Sequence, residues 1–184
     1  MEVHRTEGSS NAKVVRGYVL NDSESPTEGW KFQWGRVIHW YKRAGQIKVK
    51  SETAGAALEA EDFDILIAFF QNCYHLRDWL EVSRPDLREK LDDFFEQNFE
   101  MKGCRDVCHG FKHKKLTRPS LDADFNIVRI YDYLEIMGSG PYKNPVKYNI
   151  AFADESDIRK YDLFDFVGKC FNLWKSFLSA EQLL

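Results

Sequence analysis

Apolar residues recurring three and four apart mark most of this chain as helical, and the strongest run lies between residues 57 and about 82. There Leu66, Phe69, Phe70, Cys73, Leu76 and Leu80 share one face, which predicts a long core helix. Residues 83–86 read SRPD; the proline ends that helix and restarts a second one carrying Leu87, Leu91, Phe94 and Phe95. A third helix is expected over roughly residues 102–113, with Cys104, Val107, Cys108 and Phe111 in one buried arc. Helices joined by so short a turn lie antiparallel or nearly so, which begins a bundle. A last helix starts at Asp162, a favoured N-cap residue with Asp165 three positions on, and presents Phe166, Val167, Cys170, Phe171, Trp174, Phe177 and Leu178 at the same spacing.

Elsewhere the periodicity changes. Residues 30–50 place Trp34, Val37, Ile38 and Tyr41 at helical spacing, but the segment ends in the β-branched string IKVK, which reads as extended, so a short helix is expected. After Arg118 and Pro119, the stretches DFNIVRIYDYLEI and VKYNIAFA flank the turn-forming GSGPYKNP, and Val146, Tyr148, Ile150 and Phe152 alternate onto one face. This predicts an antiparallel β-hairpin with one buried face, to which IRKY adds a third short strand. Residues 1–29 are polar and expected to be partly flexible, with one strand near residues 14–20. The fold class expected is mainly α (α+β): a helical bundle with a small C-terminal antiparallel β-hairpin and a final helix, in a single domain spanning residues 1–184.

Composition sharpens this only in places. At 184 residues with 43% apolar content, the chain is large enough to bury a core. It has no apolar run of ~18 residues, and its polar start lacks the apolar stretch of a signal peptide, so a cytoplasmic protein without membrane contact is expected. Cys73, Cys104, Cys108 and Cys170 fall mostly on apolar stripes, where reduced cysteines act as small hydrophobes. The net charge of -3 conceals an asymmetry: residues 81–100 carry -4, and residues 102–118 carry +5. Either an internal layer of ion pairs or an anion-binding face follows from such a juxtaposition.

Two phrases carry the candidate chemistry, YHLRDW at 74–79 and CRDVCHGFKH at 104–113. In the second, Arg105, His109 and Lys112 form a cationic stripe suited to phosphate: Arg offers a fixed fork of donors and Lys a mobile charge. A histidine there can move a proton to or from a ribose hydroxyl. In the first, His75, Asp78 and Trp79 share a face, and Asp78 is placed to orient a histidine across the helix pair. Arg77, His75, His113, Lys114 and Lys115 extend the binding surface. Against this stands a structural alternative in which Arg77, Asp78, Arg105 and Asp106 form ion pairs tying the two helices together. A third alternative places a metal on Asp106, His109 and His113, an outward stripe at i, i+3 and i+7, completed by His75 or Asp78. The scattered glycines build no phosphate-cradling loop, and no cofactor is expected.

The succession of a helix with YHLRDWL, a helix with CRDVCHGFKHKKL, a hairpin and a helix ending FNLWKSFL resembles a group of uncharacterised bacterial and phage-associated proteins, over roughly residues 63–178. More distantly it resembles the HEPN superfamily, helical bundles many of whose members are ribonucleases of toxin-antitoxin, abortive-infection and CRISPR systems. The signature of that superfamily is an Arg, usually a polar residue next, and a His set off by four to six residues, doubled by dimerisation. Arg105 and Asp106 stand at the first two positions, while His109 follows Arg105 after three intervening residues and His113 after seven. The resemblance implies metal-independent RNA cleavage in a homodimer, with Arg105 holding the scissile phosphate and His109 as acid or base, and a protein partner such as an antitoxin. A non-catalytic HEPN-like scaffold remains the alternative.

Overall fold

The computed structural model describes side chains over residues 28–50, 58–110, 148–152 and 160–184, together with the backbone of the further helical and strand residues named below. Five helices make up most of it. Helix α1 (Gly29–Ala54) is followed by α2 (Ala60–Ser83), a 3-10 turn (Pro85–Leu87), α3 (Arg88–Gln97) and α4 (Phe99–Lys112); α5 (Leu163–Ala180) closes the chain. Among the described residues, no helix is long and apolar enough to cross a membrane.

Helix α1 is longer than its sequence suggests, because the IKVK string is helical throughout. The inward stripe of Trp30, Trp34 and Val37 continues through Ala44 and Ile47, all buried in the common core. Burial of Ile47 against the bundle outweighs the modest preference of β-branched residues for extended backbone. Helices α1 and α2 are also joined by a buried polar contact, in which the Gln33 amide donates to both the side-chain and the backbone oxygen of Asn72, each at 3.0 Å.

Local signals place the other ends. At the start of α2 the Asp62 carboxylate accepts from the backbone N–H of Glu59 at 2.9 Å, one half of a capping box. At the start of α5 the Asp162 carboxylate accepts from the N–H groups of Phe164 and Asp165 at 3.0 and 2.9 Å, the N-cap expected from sequence. Pro85 sits in the first turn of the 3-10 segment, where its missing N–H is harmless.

The β-structure is an antiparallel sheet ordered β3-β6-β7, in which β3 (Asp124–Ile130) pairs with β6 (Lys147–Ala153), and β6 with β7 (Ile158–Asp162). The hairpin continues outward as a short pair, β4 (Tyr133–Leu134) with β5 (Tyr142–Lys143). Near the N-terminus, β1 (Lys13–Val15) and β2 (Tyr18–Leu20) form a second small hairpin, where a single strand was expected. Tyr148, Ile150 and Phe152 of β6 are buried as their alternation predicts, whereas Val146 lies outside the described residues. The Tyr148 hydroxyl also accepts from the backbone N–H of Leu58 at 2.7 Å, fastening the sheet to the start of α2.

Sheet and helices meet at Gly103, where a Cβ atom would lie 2.7 Å from the ring tips of both Phe152 and Phe166. Gly103→Ala is therefore expected to destabilise the fold by about 1–3 kcal/mol through overpacking, read as a lowered midpoint in chemical denaturation. An unchanged midpoint would mean that the sheet does not press on α4.

All four cysteines are free and buried, as the apolar stripes imply. The Cys104 thiol donates to the Phe70 carbonyl and the Cys170 thiol to that of Glu100, each at 3.4 Å. Burial, reinforced by their contact with Cys104, holds the Cys73 and Cys170 thiols well above the ordinary thiol value.

Candidate functional site

Helix α4 does not have the single buried arc its sequence suggests. Cys104, Val107 and Cys108 are buried as expected, but so are Met101, Gly103 and Asp106, the last only 1% exposed. The helix is enclosed on several sides, by α2, by α3, and by Phe152 of the sheet and Phe166 of α5. That enclosure corrects the outward stripe: Asp106 is a core residue and not an outer ligand. A partly open ridge remains along Lys102, Arg105 and His109, at i, i+3 and i+7. Lys112 continues the ridge by spacing, with its side chain outside the described residues, as is that of Phe111. His113, Lys114 and Lys115 lie outside them altogether.

The ridge faces one side of α2. Tyr74 packs edge-on against the His109 ring, with centroids 4.9 Å apart, and edge-on against Phe95 of α3 at 5.8 Å. Burial pushes the Tyr74 hydroxyl above its ordinary value, with a smaller upward push from the Asp78 carboxylate; the Arg77 and Arg105 guanidiniums pull the other way. Tyr74, Arg77, Asp78, Arg105 and His109 are thus one electrostatic neighbourhood, assembled from two helices across their packed seam. Sequence reading missed Tyr74 as a member, although it lies three and four residues before Arg77 and Asp78 on the same helical face. It also missed Lys102, one turn before Arg105.

Ion pairs tie both helices to α3. Arg77 bonds to Asp92 of α3 and lies over the Phe95 ring at 5.8 Å. Arg105 bonds to Glu96 of α3 at 3.1 Å, and Lys102 reaches the same carboxylate at 3.3 Å. Arg77 and Arg105 therefore each have a partner on the acidic α3, a helix that the expected pairing of α2 with α4 did not include. Burial is the largest influence and would lower the Arg77 pKa, but the Asp92 bond together with the Asp92, Tyr74 and Glu81 charges outweighs it, so its charge is secure. The Lys102 and Arg105 bonds hold Glu96 below the usual carboxylate range.

The remaining candidates separate. His75 is exposed and points away from the core, while Trp79 of the same α2 face covers Gly29 at the start of α1, 3.0 Å from the position of a Cβ there. Asp78 is half-buried. Among the described residues, no three His, Cys, Asp or Glu side chains are placed to hold a metal ion, and His113 of the proposed triplet lies outside them.

The site is a half-open cationic ridge with a histidine, a tyrosine hydroxyl and two guanidiniums, each guanidinium neutralised by a carboxylate from α3. Such a surface suits an oxyanion that displaces exposed carboxylates. Comparison with known proteins finds no matching family profile, no matching curated protein and no matching solved structure.

Proposed function

We propose that this protein is an RNA-binding, metal-independent endoribonuclease of the HEPN-like kind, acting in a defence or toxin-antitoxin setting from the cytoplasm. The observation that carries the reading is the seam of α2 and α4, where His109 rests on Tyr74 beside Arg77 and Arg105. Arg105 and Lys112 hold the phosphate, with Arg77, Lys114 and Lys115 extending the track. His109 exchanges the proton between ribose hydroxyl and leaving oxygen, and Asp78 helps orient it. A homodimer doubles the site, and a protein antitoxin restrains it.

The test is cleavage of a fluorescently end-labelled RNA in excess chelator, with binding followed by anisotropy. Chelator-resistant cleavage that Arg105→Ala abolishes while the thermal melt persists is the expected result. No binding and no cleavage by the intact protein, with Arg105→Ala altering stability alone, would end the proposal.

Glu96 supplies a finer prediction. Its carboxylate competes with phosphate for Lys102 and Arg105, so Glu96→Gln is expected to tighten RNA binding several-fold at low salt. The stability cost is expected to be small, about 0.2–1 kcal/mol, because the Glu96 side chain is 57% exposed. The pH sense follows from its depressed pKa: that stabilisation is present above the ordinary carboxylate value and is lost as pH falls through the folded value. An RNA affinity unmoved by Glu96→Gln would place the binding surface elsewhere.

A second reading is favoured by the same ion pairs: a non-enzymatic interaction module in which Arg77 and Arg105 lock α2 and α4 onto α3. Under it, Arg77→Ala and Arg105→Ala lower the melting temperature, and neither changes any RNA affinity.

A further inference from the structure

A cavity of about 450 Å3 lies between α1 and α5. Lys42, Lys48 and Lys169 line it against a single acid, Asp165. Two further lining residues, Gly45 and Gly168, are glycines in helix interiors. Glycine there weakens a helix relative to alanine, and the usual compensation is close packing. Gly103 has that compensation, in the two phenylalanine rings that a Cβ would strike. Gly45 and Gly168 have none, since a Cβ at either would meet no atom within 4 Å. Internal packing therefore does not account for them; their effect is to leave the cavity walls bare on both helices.

We propose that this cavity is a binding site for a small organic phosphate, of the size of a pentose phosphate or mononucleotide. Its volume falls among small-molecule sites, and lysine is suited to phosphate as a mobile point charge. The existing pairs leave room for exchange: Lys48 stands 3.7 Å from Asp165, whose side chain is largely exposed, and Lys169 stands 3.3 Å from Glu100. A phosphate dianion satisfies these ammonium groups better than a carboxylate at such distances. A second copy of the chain is a poorer occupant, because a two-fold contact would bring the three lysines against their own counterparts.

Calorimetric titration with ribose 5-phosphate, adenosine 5'-monophosphate and inorganic phosphate tests the site. An organic phosphate is expected to bind with a Kd below about 1 mM, and Lys42→Ala with Lys169→Ala to weaken it by roughly tenfold or more. Gly45→Leu with Gly168→Leu fills the cavity and abolishes binding with the circular dichroism spectrum unchanged. Gly45→Leu alone narrows the cavity and weakens binding with the fold retained, a readout that stands even if the doubly filled variant misfolds. Absence of binding at about 10 mM, or an affinity indifferent to the lysine variants, overturns the proposal. Arg105→Ala separates this site from the α2/α4 seam. Binding retained in it supports an independent cavity, and binding lost in it while the lysine variants still bind refutes one.

Discussion

Replacing Trp174 with alanine is expected to lower stability by about 3–5 kcal/mol, the range for truncating a large aromatic in a packed core. Trp174 is fully buried on α5, with Phe94, Phe95 and Phe177 at centroid distances of 4.9, 5.9 and 5.8 Å. Its removal opens a void where α3 meets α5. For a chain of this length, the loss corresponds to a fall in melting temperature of about 6–20 °C. Trp174→Phe separates the contributions to that loss. The indole N–H is buried with no acceptor among the described residues, a situation that costs about 1–3 kcal/mol, so phenylalanine removes a penalty while keeping most of the contact. It should therefore be far milder than alanine; equal losses in the two variants would show that the packing argument is wrong.

The other large effect is chemical. If His109 exchanges protons with RNA as proposed, His109→Ala should reduce cleavage by about 10²- to 10⁴-fold, the usual contribution of a positioned acid or base. The same substitution removes one edge-on ring contact with Tyr74, worth about 0.5–1.5 kcal/mol, so the fold should persist and RNA binding should fall much less than cleavage. Tyr74→Phe keeps the ring contact and deletes only the hydroxyl, which isolates the electrostatic role of that group. Undiminished cleavage by His109→Ala would remove the histidine from the mechanism, and parallel loss of folding would favour the interaction-module reading.

How much of this was legible in the sequence differs from element to element. Helices α2 and α5 were readable because each buries one face, so apolar spacing maps directly onto the core. The N-cap at Asp162 and the break before Pro85 were readable because they depend only on neighbouring atoms. The end of α1 was not, since nothing local signals that Ile47 has a bundle to pack against. Asp106 failed for the opposite reason: a polar residue on a helical wheel reads as solvent-facing unless the helix is known to be enclosed.

The candidate site divides along the same line. The +5 segment, the 102, 105 and 109 spacing and the two phrases at 74–79 and 104–113 are properties of the chain alone. The ion-pair partners are not, because Arg77 reaches Asp92 and Arg105 reaches Glu96 only once α3 folds back beside them. Nor is the α1/α5 cavity, whose two walls lie more than 100 residues apart in the chain. Periodicity and capping are short-range effects written into consecutive residues, and they determined which segments are helices, which form the hairpin and which face is apolar. Which charges meet, which polar residue is buried and where space is left open depend on how those elements pack, and only the tertiary structure decided them.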